Sequence, residues 1–211
     1  LTTRLGSELK ANMDLQIALL LMQDGLVNGA VYGLMALALV LVFSVTRVIF
    51  IPQGELVAFA ALTMAMLNTG RTPLTLWLLL GLAALTLATE IWRSTRGIAV
   101  GWGATLVWTL VLPGLAALWV LLGPRSLAAQ AAATLLLVSP LGPLLYRLAY
   151  RPLADASVLL LLIVSVALHG VLVGLGLVFF GAEGSRTPAF SEARLGVGGI
   201  TLSGQSLVVV G

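Results

Sequence analysis

The segment Pro52-Gln53-Gly54-Glu55 separates two apolar stretches and holds residue types suited to binding a charged ligand. Proline lacks a backbone N–H and clashes with the preceding turn, so Pro52 predicts that a helix breaks and restarts here. The first turn of a restarted helix has free amides and a partial positive charge, which could hold a carboxylate. Glu55 falls in that turn, where its own carboxylate is favoured and could hold an ammonium group.

Other polar residues also interrupt the apolar sequence. His169 follows Ser165 by one helical turn, which predicts either a buried histidine facing another helix or a residue of a conduit. Glu90 precedes Arg93 by three residues, and this spacing predicts a local ion pair near a helix end. Glu55 and Glu90 lie near the ends of apolar runs, whereas His169 lies in the middle of one. We therefore do not expect these three residues to converge.

The sequence contains no recognisable catalytic signature. It has no cysteine, which excludes disulfides, thiolate metal sites and thiol nucleophiles, and a single histidine excludes a His-pair metal motif. The GxSxG, Walker A and HExxH motifs are absent from it. We therefore predict that the chain is not an enzyme, holds no metal or cofactor, and leaves any ATP chemistry to another subunit.

The composition places the chain in a membrane. Of its 211 residues, 60% are hydrophobic and 9% are charged, and the mean hydropathy is +1.10. Soluble domains are nearer 45–50% apolar and about 25% charged. This surplus of apolar residues exceeds what one soluble core of this length could bury. It excludes an ordinary globular enzyme, a disordered protein and a nucleic-acid binder.

Six hydrophobic segments are predicted as spanning helices, because backbone groups in hydrocarbon must be hydrogen-bonded within their own segment. They cover residues 25–45, 53–69, 74–91, 100–122, 127–146 and 157–180. The first helix could begin near Leu15, and Asp155 with Ser157 is typical of a helix start. The predicted fold is thus an all-α polytopic bundle of about six spans, with a helix broken and restarted near Pro52. That restart is either a capped helix start at the membrane edge or a broken helix lining a polar cavity.

Basic residues in the short loops predict the orientation. One side of the membrane would hold five arginines, and the opposite short loops would hold two. The five are Arg47, Arg93, Arg96, Arg147 and Arg151, and the two are Arg71 and Arg125. The positive-inside rule places the five in the cytoplasm, with the N-terminus and the polar loop 181–204 outside.

Glycines at helical spacing predict close helix packing. Gly25, Gly29 and Gly33 share one face of the first helix, and Gly170 and Gly174 repeat the pattern in the last. Small faces let membrane helices approach closely, so we expect a packing role. The alternative is that the narrow face of the first helix borders a conduit.

Three motifs are informative together: Asp24–Ala36, Val48–Glu55 and Tyr150–Leu153. In this order they resemble the LivH-type permease of branched-chain amino acid ABC importers. Gly25, Gly29 and Tyr32 match the family's first helix, with Asp24 where asparagine is usual. Gly54 and Glu55 match its second motif, whereas residues 50–53 depart from it. The family's cytoplasmic sequence YRPL is matched by Tyr150-Arg151-Pro152-Leu153, and Gly181–Arg186 with Gly198–Thr201 resembles its external loop.

The resemblance implies a permease of the inner membrane. It would pair with a second, LivM-like permease subunit, two ATPase subunits that bind ATP, and an external substrate-binding protein. Tyr32, Gln53, Gly54 and Glu55 would line the substrate path. Arg147, Tyr150, Arg151 and Pro152 would lie in a cytoplasmic loop. Residues 1–211 would form part of the permease domain, followed by its ATPase-coupling segment, and residues 98–126 would be an inserted hydrophobic hairpin.

Other functions stay open. The same transporter class could import urea or short amides in place of branched-chain amino acids. An integral membrane enzyme would need Glu55, Glu90 or His169 to converge. A secondary transporter would need ion-binding carboxylates deep within the spans.

Overall fold

The chain divides into two compact units in a computed structural model that describes residues 2–183, 187, 194–197 and 200–203. The first unit comprises Leu1–Leu41 and Pro188–Gly211, and the second comprises Val42–Thr187. The first unit holds most of one long helix and a short hairpin. The second holds the remaining helices and includes Glu55, Glu90 and His169.

Within the described residues the chain forms six helices. Four of them are α-helical throughout, and two also contain π-helical turns. The six are α1 (Thr2–Thr46), α2 (Gln53–Asn68), α3 (Thr75–Thr95), α4 (Trp102–Leu121), α5 (Leu127–Leu153) and α6 (Val158–Phe180). A π-helical turn, Val107–Val111, interrupts α4 just before Pro113. Helix α5 is composite: α-helical over Leu127–Val138 and Leu141–Leu145, π-helical over Tyr146–Tyr150 and 3-10 over Arg151–Leu153.

Five of the six described helices are long and apolar enough to cross a membrane, which supports the predicted all-α membrane bundle. They are α3 to α6 and the part of α1 from Met13 onward. The exception is α2, whose 16 residues extend about 24 Å at 1.5 Å per residue. Because hydrocarbon is about 30 Å thick, α2 is too short to count as a sixth span.

Serine caps and a glycine fix ends of the last two helices, α5 and α6. The Ser126 side chain accepts a hydrogen bond from the Ala129 amide at 3.2 Å, and α5 begins there. Ser157 accepts from the Leu160 amide at 3.3 Å, which confirms the helix start predicted from this serine. Helix α6 ends at Gly181, whose φ of +78° lies in the left-handed region that favours glycine.

The main core of the second unit lies where α2, α3, α4 and α5 pack together. Its fully buried side chains include Leu79 of α3, Ala116 of α4, and Leu137 and Leu144 of α5. Contacts join α2 to the first half of α5 and to α6, and join α3 to α4 and α5. Bulky apolar side chains on the outer faces of the helices stay exposed, as expected where hydrocarbon is the solvent.

Several predicted boundaries differ from the structure. Helix α1 begins at Thr2, before the predicted start near Leu15. Residues 98–126, predicted as a hydrophobic hairpin, contain one helix, α4; that they are an insertion stays a prediction. The predicted loop 181–204 contains two antiparallel strands, β1 (Arg194–Val197) and β2 (Ile200–Ser203).

The predicted cytoplasmic loop around Arg147, Tyr150, Arg151 and Pro152 is not a loop. All four residues lie in the last helical turns of α5. Proline is tolerated here because Pro152 sits in the first turn of the 3-10 segment, where its missing N–H is not needed. Burial of Tyr150 further holds the segment against its neighbours. On which side of the membrane these residues lie stays a prediction.

Candidate functional site

The helix break predicted at Pro52 is present. Helix α1 ends at Thr46, residues 47–52 are not helical, and α2 restarts at Gln53 with Pro52 as its N-cap. Arg47 closes α1 with a φ of 56°, and its amide donates to the Phe43 carbonyl at 2.8 Å. Left-handed backbone at a non-glycine residue is uncommon, so the turn must be held by its surroundings.

Ser165 of α6 fastens the backbone of this break. Its hydroxyl donates to the Ile49 carbonyl at 2.6 Å and accepts from the Ile51 amide at 3.0 Å. The Tyr150 hydroxyl of α5 donates to the same oxygen at 2.9 Å. A serine hydroxyl has one hydrogen to donate and two lone pairs, so these three bonds use its full capacity. Ser165 is fully buried, and it joins α5, α6 and the break.

One helical turn further along α6, His169 meets Glu55. The His169 Nδ1 and Glu55 Oε1 atoms lie 2.8 Å apart, at ion-pair distance but without the alignment of a hydrogen bond. The side chains are 42% and 16% exposed, respectively. The second carboxylate oxygen, Oε2, is buried and has no hydrogen-bond partner among the described residues. Glu55 therefore has one oxygen beside the imidazole and one still able to accept a hydrogen bond.

The expectation that Glu55 and His169 would not converge is wrong. His169 is the central residue of the 23-residue helix α6, so the first turn of α2 lies level with the middle of a candidate span. Further along, Phe59 of α2 lies against Gly176, where an added Cβ would be 3.7 Å from the ring. Helix α2 thus starts beside the middle of α6 and runs along its second half. Of the two interpretations of Pro52, this geometry favours the broken helix.

The residues predicted to line a substrate path are divided between the two units. Gln53, Gly54 and Glu55 are the first three residues of α2 and are all partly buried. A Cβ built on Gly54 would meet no described atom within 4 Å, so open space adjoins this turn. Tyr32 lies on α1 in the first unit, and its place in the path stays a prediction.

Glu90 forms a different ion pair from the one predicted. Its Oε1 contacts Nη1 of Arg151, not the neighbouring Arg93. The Glu90 side chain is only 3% exposed and that of Arg151 is 33% exposed. Glu90 continues the buried face of α3 through Leu79, Ala83 and Thr86, so it points into the bundle. A buried carboxylate needs a charged partner, and α5 supplies one.

The predicted glycine faces are uncovered in the part of the chain that the structure describes. A Cβ at Gly170 or Gly174 would meet no atom within 4 Å, and the same holds for Gly25, Gly29 and Gly33 within their own unit. The packing role of these glycines stays a prediction, because it would need a helix that does not contact them within their own unit. The glycine of α6 that contacts another helix is Gly176, which was not among the predicted packing glycines.

A cavity of about 560 Å³ adjoins the break, and Val48 and Phe50 are among its lining residues. Its walls come from the end of α1, the start of α4 and the last turns of α5, and most of the lining atoms are apolar. Phe50 and Tyr150, whose rings meet edge to face at 5.9 Å, contribute to its lining. Arg147 also lines it, and its Nη1 donates to Thr105 Oγ1 at 2.9 Å.

Ser165 and Tyr150 were not predicted to act together at the break. One signal was available in the sequence: Leu161, Ser165, His169, Leu172 and Gly176 recur at helical spacing and share a face of α6. That this face meets the break depends on tertiary packing, which spacing within α6 does not specify.

Comparison of the chain with protein-family models, with curated proteins and with solved structures found no match.

Proposed function

We propose that the chain is the transmembrane permease subunit of an ATP-driven importer of branched-chain amino acids. The observation that carries the proposal is the start of α2 beside the middle of α6, with Glu55 and His169 in contact there. Broken helices with polar groups near mid-depth are typical of transporter binding sites, because irregular backbone is tolerated only where it is buried or lines a cavity.

The first turn of α2 offers complementary groups to an amino acid. Its amides, which cannot all be satisfied within the helix, would hold the substrate carboxylate. Glu55 Oε2, buried and without a hydrogen-bond partner in the described residues, would accept from the substrate ammonium group. The apolar side chain of the cargo would need only hydrocarbon-like walls. Tyr32 and Gln53 would complete the path.

ATP binding and hydrolysis on two partner ATPase subunits would drive the change between outward and inward access. A second permease subunit would complete the pathway, and an external binding protein would deliver the cargo. The cargo must bind the two states with different affinity if it is to bias their equilibrium. The restarted helix is a suitable element for that bias, because Ser165 and Tyr150 tie the backbone just before its first turn to α5 and α6.

The test measures leucine uptake into vesicles that contain the complete transporter. Glu55→Gln keeps the size of the side chain but removes its charge, so we expect uptake to be abolished while membrane insertion is unchanged. Asp155→Asn, which makes the same change in an exposed turn, should leave uptake intact. Normal uptake by Glu55→Gln would contradict the proposed site.

The cargo is tested separately by ligand-dependent stability of the purified complex. Leucine or valine should raise its melting temperature, because a ligand that binds the folded state stabilises it by mass action. Urea and short amides should have no effect. Stabilisation by urea alone would assign the transporter to the alternative cargo class.

A proton-coupled secondary transporter is the second candidate. The same Glu55–His169 contact favours it, because paired ionisable residues inside membrane spans often form proton relays. The chain reconstituted alone in liposomes separates the two proposals. Leucine uptake driven by an imposed pH gradient without ATPase subunits would support the second candidate, and strict dependence on ATP and the partner subunits would support the first.

A further inference from the structure

We propose that the 560 Å³ cavity between the end of α1, the start of α4 and the last turns of α5 binds an anionic phospholipid. The acyl chain would occupy the apolar part of the cavity, and the headgroup phosphate would bind Arg147. This inference is independent of the transported cargo, because none of the residues that line the cavity belongs to the first turn of α2.

The volume and lining fit an amphiphile. Ligand pockets are usually about 300–1,000 Å³, so the cavity is large enough for part of a lipid chain. Val42, Val48 and Phe50 supply apolar surface on one side, and the start of α4 supplies small residues on the other. A small hydrophilic anion would leave this surface uncovered.

The charge at the cavity is unbalanced. Two arginines line it, but Arg151 is already paired with buried Glu90. Arg147 donates to the neutral hydroxyl of Thr105, and no carboxylate within the described residues lies at ion-pair distance from it. Guanidinium carries five N–H donors, so this hydrogen bond leaves donors for a phosphate. One cation without an anion beside an apolar cavity matches the chemistry of a single acidic lipid.

The surroundings give lipid direct access. Trp102 and Leu106 of α4, close to the lining residue Ala104, are exposed apolar side chains on a helix long enough to cross a membrane. Basic pockets between spanning helices are known to bind acidic headgroups. The predicted orientation would place this cavity in the cytoplasmic leaflet.

Native mass spectrometry of the purified full-length protein tests the proposal with phosphatidylglycerol and phosphatidylcholine of identical acyl chains. We expect one phosphatidylglycerol to be retained about tenfold more tightly than phosphatidylcholine, a difference of about 1.4 kcal/mol. Both headgroups carry the phosphate, but the choline of phosphatidylcholine adds a cation that would lie close to Arg147 and repel it. Arg147→Gln should abolish that preference. The matched control, Arg96→Gln, removes an exposed arginine that stacks on Trp92 and should retain it.

Two further measurements keep the outcome clear if Arg147→Gln fails to fold. Ala104→Phe fills the cavity from α4 and should abolish retention of the lipid without removing any charge. Inorganic phosphate, or leucine, added to the wild-type protein should not displace the lipid. An unchanged lipid preference in a folded Arg147→Gln variant, retention by Ala104→Phe, or displacement by phosphate or leucine would each overturn the proposal.

Discussion

The carboxylate of Glu55 lies 2.8 Å from the imidazole of His169, and this contact sets the start of α2 beside the middle of α6. Because α2 has 16 residues and begins beside the middle of α6, it lies alongside only part of α6. The polar groups at its first turn are therefore held between helices that are otherwise apolar. Ser165, one turn earlier on α6, fixes the preceding backbone and thereby the position of the pair.

Ser165→Ala should destabilise the protein. The substitution removes the acceptor of the Ile51 amide and of the Tyr150 hydroxyl, and buried groups left unsatisfied cost about 1–3 kcal/mol. The free energy of unfolding in mixed micelles measures the effect. Ser139→Ala, at an exposed serine of α5, should change it by less than about 0.5 kcal/mol. Equal effects of the two substitutions would show that Ser165 does not stabilise the break.

Arg151→Gln should be more damaging than Arg93→Gln. It leaves Glu90 as a buried carboxylate without its partner, for which the loss of stability is about 3–5 kcal/mol, at the lower end here because Arg151 is partly exposed. Adding Glu90→Gln should recover part of the loss, since the uncompensated charge is gone. Unfolding measurements on the two single variants and the double variant test this. If Arg93→Gln has the larger effect, the local pair predicted from spacing is the correct one.

Glycine positions on α6 should differ in their tolerance of bulk. Gly176→Leu would press against Phe59, and overpacking costs about 1–3 kcal/mol. Gly174→Leu has open space around it and should leave the stability of the isolated chain unchanged. If the helix packing predicted for the Gly170 and Gly174 face is made with a partner subunit, this variant should also weaken assembly. Thermal unfolding and size-exclusion chromatography of the two variants separate the effects.

The apolar pattern predicted most of the helices. It did not predict where each one ends or that α2 lies alongside only part of α6. Five long apolar helices follow from hydropathy because backbone groups in hydrocarbon leave few alternatives to a helix. Proline chemistry predicted the restart at Pro52, and Ser157 predicted the start of α6. The extension of α5 through Tyr150 and Arg151 was missed, because it depends on contacts with Ser165 and Glu90 from other helices.

The partners of the charged residues were the least predictable part of the site. Spacing along α3 favoured Arg93 as the partner of Glu90, yet the buried face running from Leu79 to Glu90 directs the carboxylate towards α5. Hydropathy placed Glu55 near a membrane surface, because it treated α2 as a full span. Since α2 is short and starts beside His169, the same residue instead lies beside the middle of the candidate span α6.

Substituted-cysteine accessibility tests the central claim that the first turn of α2 adjoins an aqueous path. The 211 residues contain no cysteine, and a Cβ at Gly54 would meet no described atom within 4 Å. Gly54→Cys should react with a membrane-impermeant maleimide, and leucine should slow the reaction. Val178 is 77% exposed and lies on an apolar face of α6, so Val178→Cys should stay unlabelled. Arg96→Cys should confirm that the reagent reaches an exposed turn. An unreactive Gly54→Cys alongside a labelled Arg96→Cys, with reagent applied to both sides of the membrane, would contradict the account.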